Sequence, residues 1–304
     1  MFTRLWVLLA ALLPLSLAHA QAEGKVTFID GRVHLIRGVQ VLDAVPGLAV
    51  SEADMVGTAA GGYVLIEFGD GLRLGLGPDT RLLLRTLNPR GKDSVRELAV
   101  LGGWIKVQSA LADGIKDYRL LAPGLSLQWR EASFIARVGA ADTALFVETG
   151  VLHASVADGK GRVPAPSEVR GGRFVTHADG VLTTRERPAE PFVVAMPRPF
   201  RDPLPPLLSR IGTRVVEPRA VAEVAYADVA PWLQGPKAWR GSFIARFRSR
   251  ASDAAFHRDL VDNMSAHPEM GSCALSRKVP AASARCGTGP DALTPCPSPR
   301  LLLP

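Results

Sequence analysis

Apolar and polar positions alternate in short runs from Gly24 to about Arg187, and glycine and aspartate break the runs. Lys25–Ile29 leads into Asp30-Gly31, Arg32–Ile36 into Arg37-Gly38, and Tyr63–Phe68 into Gly69-Asp70-Gly71. A two-residue period puts successive side chains on opposite faces of a strand, and glycine accepts the positive φ of a tight hairpin turn. Further strands are predicted over 104–107, 118–121, 125–129, 134–138, 145–147, 151–156 and 173–176. The expected architecture for 21–187 is mainly β: a sandwich, a β-roll or a solenoid-like winding. A faint internal echo accompanies it, Gly31-Arg-Val-His-Leu against Gly150-Val-Leu-His-Ala, each followed by a later Gly-aromatic run at Gly62-Tyr or Gly172-Arg-Phe.

From Pro188 to Pro206 the composition turns proline-rich, which removes ladder donors and breaks helices, so an extended linker is expected. Beyond it the period lengthens. Trp239, Phe243 and Phe247 are spaced by four, as are Phe256, Leu260 and Met264, and each set fits one face of an amphipathic helix. Ser252-Asp253 is a candidate cap and Pro236 a candidate helix opener. These features predict a small helical module over 207–270. The stretch 271–304 has no period and is expected to be disordered.

The first twenty residues change the setting. Arg4 precedes an apolar run from Leu5 to Leu17 and the small-x-small triplet Ala18-His-Ala20, which predicts a secretory signal peptide cleaved after Ala20. The run is too short for a bilayer span and contains Pro14, so no stable membrane span is expected, and the protein is placed in the periplasm or outside the cell. The net charge of +7 gathers partly in the leader and the tail, which leaves the intervening chain nearly balanced. Nucleic acid is therefore not an expected partner. Cys273, Cys286 and Cys296 all lie in the tail, so the fold is expected to need no disulfide and the cysteines form no metal-ligand spacing.

Candidate chemistry is sparse. No nucleophile elbow, zinc-protease helix or phosphate loop occurs, and Gly69-Asp70-Gly71 with Gly75 and Gly77 sits between strand-like runs. His34, His153 and His177 are expected on the surface or at edges, and His257 and His267 at a solvated helix end. Glu67, Asp70, Asp79, Glu131 and Glu148 are expected to be solvent-facing strand or turn residues rather than a hydrolytic pair. Arg240, Arg246, Arg248 and Arg250 are expected to form a solvated helix face. No catalytic residue, metal ligand or cofactor is called for.

Several of these runs together resemble the FecR domain family. They are Gly24-x-Val26 with Asp30-Gly31-x-Val33, Asp54-Met-Val-Gly-Thr58, Gly62-Tyr-Val-Leu-Ile-Glu-Phe-Gly-Asp70-Gly71, and Leu101-Gly-Gly-Trp-Ile-Lys-Val107. Asp54, Thr58, Gly62, Asp70 and Gly71 are the motif positions, and the resemblance covers roughly Gly24 to Val138. It implies a secreted or periplasmic β domain that supports interactions rather than catalysis, and it transfers no catalytic site. The family's regulators carry a cytoplasmic anti-sigma segment and a membrane helix ahead of this domain, whereas a cleaved leader is expected here. The expected role is non-enzymatic binding, assembly or accessory signalling with an envelope protein. The alternatives are a cell-wall glycan-binding module and, behind it, an envelope hydrolase.

Overall fold

The computed structural model describes residues 24–89, 94–111, 117–156, 165–212 and 216–271. The expected leader and the tail with its three cysteines lie outside the described residues.

The chain opens with β1 (Gly24–Asp30), β2 (Val33–Arg37), β3 (Gln40–Asp43), β4 (Ala49–Val50), β5 (Met55–Thr58) and β6 (Tyr63–Phe68). It continues with β7 (Arg73–Leu76), β8 (Arg81–Thr86), β9 (Val95–Ser109), β10 (Asp117–Ala122) and β11 (Leu125–Trp129). Next come β12 (Ala132–Val138), β13 (Asp142–Val156), β14 (Ser167–Arg170), β15 (Phe174–Ala178) and β16 (Val181–Arg185). The first sheet runs β4-β1-β6-β7-β9-β12-β13-β15-β16. The second runs β3-β2-β5-β8-β9-β10-β11-β13-β14 and is antiparallel except between β9 and β10. The protein is therefore mainly β, a sandwich wound laterally: from β1 and β2 onward, strand number rises in one direction along both layers.

Two long strands stitch the layers together. β9 and β13 each begin in one sheet and end in the other, bending at Gly103 (φ +98°) and Gly150 (φ +85°). A Cβ at Gly103 would collide with the Thr80 backbone, and one at Gly150 with the Glu131 carbonyl. Only glycine combines that φ with that close an approach. The runs 145–147 and 151–156, read as two strands, are thus the two halves of β13. Asp30-Gly31, read as a hairpin turn, instead carries the chain from the first sheet to the second, because β1 and β2 do not pair. The sequence echo has a topological counterpart: the segments after Gly31 and Gly150 enter the second sheet, and those after Gly62 and Gly172 enter the first.

Three apolar clusters make four layers. The interior, with Val64, Ile66, Leu74, Leu82, Leu98, Val107, Trp129 and Phe134, lies between the sheets. The outer face of the first sheet offers Tyr63, Leu65, Trp104 and Ile135, and these are covered by Phe192, Phe200 and Leu204. This explains why β6 is buried at every position: both of its faces are covered. The covering segment holds α1 (Glu190–Ala195), a 3-10 turn at Arg198–Phe200 and α2 (Leu208–Ile211). The expected linker is therefore a packed strap, because its prolines are interspersed with Phe192, Phe200 and Leu204, each of which is buried.

On the other side, Ile36, Met55, Leu83 and Ala99 of the second sheet meet the helical module. The module comprises β17 (Ala220–Glu223), which pairs with β3, then α3 (Tyr226–Leu233), α4 (Gly241–Phe247) and α5 (Ala254–Asp262). Asp253 caps α5 by accepting the Phe256 N–H at 2.9 Å, and Phe243, Phe247, Phe256 and Leu260 are buried against the sheet as their spacing predicts. No helix among the described residues is long and apolar enough to cross a membrane.

Candidate functional site

The motif positions form a framework rather than a reactive group. Asp54 is 1% exposed, accepts the Ser51 N–H at 2.7 Å, and takes Arg37 in a two-pronged pair at 3.0 and 2.7 Å. The same pairing raises the Arg37 pKa. Thr58 donates to the Gly77 carbonyl at 2.6 Å and accepts the Thr80 N–H at 2.9 Å. Thr80 in turn donates to the Trp104 carbonyl and accepts the Trp104 N–H, so Thr58 secures the place where β9 changes sheets. A Cβ at Gly62 would press on the Arg32 carbonyl at 2.7 Å, which leaves room for glycine alone. Asp70 and Gly71 (φ +90°) build the β6–β7 turn, with the Leu72 N–H donating to Asp70 Oδ1 at 3.1 Å. Asp70 Oδ2 also pairs with Arg96 Nη1 at 2.7 Å inside the core, where the guanidinium lies over the Phe68 ring. Burial, with the Asp70 charge beside it, pushes the neighbouring Tyr118 up to about 12.

The remaining candidates are corrected in several places. Glu67, expected in solvent, is 3% exposed, accepts Thr27 Oγ1–H at 2.6 Å and takes the Leu207 N–H of the strap at 2.8 Å. Glu148 pairs with buried Lys106 at 2.8 Å and accepts from Ser133 at 2.6 Å. Lys106 also donates to the Phe200 and Asp202 carbonyls, Arg73 to the Leu204 carbonyl, and Gln108 accepts the Leu204 N–H. These outward side chains of the first sheet are thus clamps on the strap's backbone, which is how the sheet satisfies a proline-rich segment that builds no ladder of its own. Asp79 sits at a turn with φ +54°, and Glu131 is exposed.

His34 and His153 are exposed on strands of the second sheet, as expected, but His177 and His267 are buried. His267 shares a 2.7 Å hydrogen bond with the hydroxyl of Tyr226, the first residue of α3. His177 is 5% exposed, and neither ring nitrogen has a hydrogen-bond partner among the described residues. Burial lowers both pKa values below 6.5. Below pH 6.5 the unfolded chain therefore takes up protons that the native state refuses, so stability is full above about pH 6.5 and falls as pH drops through that value. Urea midpoints measured from pH 7.5 to 5.5 are expected to decline, and less steeply in His177→Gln; equal slopes in the two proteins would refute the assignment.

The arginine group is not a solvated face. Arg246 donates to the carbonyls of Ile36, Gly38 and Ala53 at 3.1, 2.9 and 2.6 Å, tying α4 to the strand ends of the second sheet. Arg240 bonds the Gly235 and Ala266 carbonyls, and Arg250 holds the Val224 carbonyl and pairs with Glu223. Arg248 alone of the four is exposed.

This bracing leaves a cleft of about 460 Å³ where α4 meets the motif turn. Arg37, Glu52, Asp54, Arg85 and Arg246 line it, with Phe243 and Leu83 at its base. Glu52 is engaged by the Leu87 N–H at 3.1 Å and Arg85 by Glu97 at 3.1 Å, so both signs of charge are fixed in place on the walls. Such a wall presents paired donors and acceptors to a polar backbone. Sequence reasoning marked Asp54 as a motif position, read Arg246 as part of a solvated helix face because its carbonyl partners lie far along the chain, and did not single out Arg37. On the other flank of the module a second cleft of about 560 Å³ is lined by Asp79, Arg81, Leu101, Pro231 and Pro236. It adjoins an apolar groove of about 260 Å³ bounded by Leu121, Leu125 and Trp239. Among the described residues no group of three His, Cys, Asp or Glu side chains converges to hold a metal.

No family model matches the chain, and no curated protein does. Two crystal structures of a "putative anti-sigma factor" from Parabacteroides distasonis resemble it at 12% and 13% identity, each with a TM-score of 0.37. Each match covers 44% of this chain, which spans 59% of the length of those proteins. Neither likeness bears on the chemistry of the clefts.

Proposed function

We propose that this is an exported, non-enzymatic envelope protein that binds a protein partner and serves assembly or accessory signalling. The export pattern of residues 1–20 and the FecR-like motif residues support the setting. The observation that carries the reading is the charged cleft at α4, where Asp54 and the turn it organises line a concave surface together with Arg246 of the module. Three of the five carboxylates weighed for hydrolysis have structural work in this fold: Asp70 neutralises Arg96, Glu148 neutralises Lys106, and Glu67 holds the strap. A fixed wall of paired charges favours specificity toward a polar segment of complementary charge.

Site-specific photo-crosslinking in cells tests the proposal. A crosslinking residue at exposed Ser242, on the rim of the cleft, is expected to capture an envelope protein, and one at exposed Val194, on the opposite layer, is not. Equal capture at both positions, or none at Ser242, would sink the reading. Retention on peptidoglycan in high salt without a protein adduct would replace it with wall binding.

A further inference from the structure

Among the described residues the sheets end in four edges, and three of them carry devices that discourage pairing. β4 is two residues long, β17 is interrupted by a bulge between Ala220 and Ala222, and β14 places Glu168 and Arg170 among its four residues. Short length, bulges and charges are the usual ways in which an exposed edge is blunted. β16 has none of these. It runs Val181-Leu-Thr-Thr-Arg185 in unbroken register with β15, without proline, and its one charge is at its end. Val181 is 61% exposed, and Thr183 and Thr184 are exposed as well.

The register decides which backbone groups are free. The two-residue Asp179-Gly180 loop joins Ala178 to Val181, and such a loop closes on a hydrogen-bonded pair. Because hydrogen-bonded and non-bonded pairs alternate along an antiparallel ladder, Val181, Thr183 and Arg185 bond β15, whereas the N–H and C=O groups of Leu182 and Thr184 point out of the edge. A second copy turned about a two-fold axis at Thr183 would set Leu182 against Thr184 twice over, giving four backbone hydrogen bonds. The same axis sets Val181 opposite Arg185 rather than arginine opposite arginine. It also brings Asp179, at the hairpin turn, toward Arg187, just past the strand end, once at each end of the ladder. Both residues are exposed, and neither has an ion-pair partner among the described residues.

We infer that β16 is a self-association edge, through which two copies of this chain join their first sheets into one continuous antiparallel sheet. The contact is isologous, as a closed dimer requires. It is small beside a standard interface, so association at about 10–100 µM is expected rather than an obligate dimer.

Sedimentation velocity of the purified protein from low to high micromolar concentration tests this at low salt. The expected result is a monomer–dimer equilibrium. Thr184→Pro removes a donor that β15 does not use, so it should raise the dissociation constant at least tenfold while leaving the melting temperature near that of the parent. Arg187→Asp, an exposed change that places two acidic residues together at each end, should weaken the dimer as well and so decides the matter if the proline variant folds poorly. A protein that stays monomeric throughout, including one that pairs β16 only with a foreign strand, overturns the inference. So does a dimer that both variants leave intact.

Discussion

Asp70→Asn is expected to destabilise the protein by about 3–5 kcal/mol, because it leaves the Arg96 guanidinium buried without its counter-charge. The Arg96 side chain is 1% exposed, and among the described residues its charge is answered at one point, the 2.7 Å contact with Asp70 Oδ2. Its Nε donates to the Leu87 carbonyl, and its plane lies over Phe68, 4.7 Å from the ring centroid. Those contacts orient the group without neutralising it. Asparagine keeps the shape of the turn and can still accept the Leu72 N–H through Oδ1, which turns its amide nitrogen toward Arg96 Nη1, so the change removes both the counter-charge and the acceptor. In thermal terms the loss corresponds to roughly 6–20 °C for a domain of this size. A double change, Asp70→Asn with Arg96→Met, should recover at least half of the loss, since an apolar replacement of a buried pair is often close to neutral. A loss below about 1 kcal/mol for the single change would mean that water reaches the pair, and the core placement of this motif residue would then be wrong.

Asp70 also shows how far the sequence could be read. Its place in a β6–β7 turn was legible, because Gly69-Asp-Gly71 between two apolar runs has one common local solution. Its partner was not, because Arg96 is distant in the chain and a single arginine in a strand has no periodic signature. The same division holds elsewhere. Alternation located most strands, and four-residue spacing located the faces of α4 and α5, since both depend on neighbours in sequence. Helix α3 falls within the expected helical module but was not marked separately, and Pro231 stands inside it. β13 was read as two strands because the sheet crossing at Gly150 looks the same in sequence as a turn. Glu67, His177 and His267 were placed in solvent because their burial depends on the strap, the opposite sheet and Tyr226 of α3, none of which local polarity records. In the cleft, the sequence marked Asp54 as a motif position and Arg246 only as part of a solvated helix face, and it did not single out Arg37 of β2.

The segment 188–206 is where local reading and tertiary packing disagree most, and Phe200→Ala separates them. A solvent-borne linker predicts a change within about 0.5 kcal/mol for that substitution. The packed strap predicts a loss of about 3–5 kcal/mol, the usual range for emptying a buried phenylalanine site. Phe200 is fully buried and meets Tyr63 edge-on at 6.2 Å, while its carbonyl accepts from Lys106 at 2.9 Å. The cost should exceed simple cavity formation if the strap loosens, because Lys106 and Glu67 would each lose strap backbone groups while remaining on an apolar sheet face. Chemical denaturation measures the loss, and limited proteolysis between Arg198 and Arg210 reports whether the strap has lifted. Unfolding with unchanged stability, or cleavage equally fast in the parent protein, would return this segment to the status of a linker. Faster cleavage in the variant together with the stability loss would establish that the proline-rich segment belongs to the core of the first sheet and is held there by the outward charges of β6, β7 and β9.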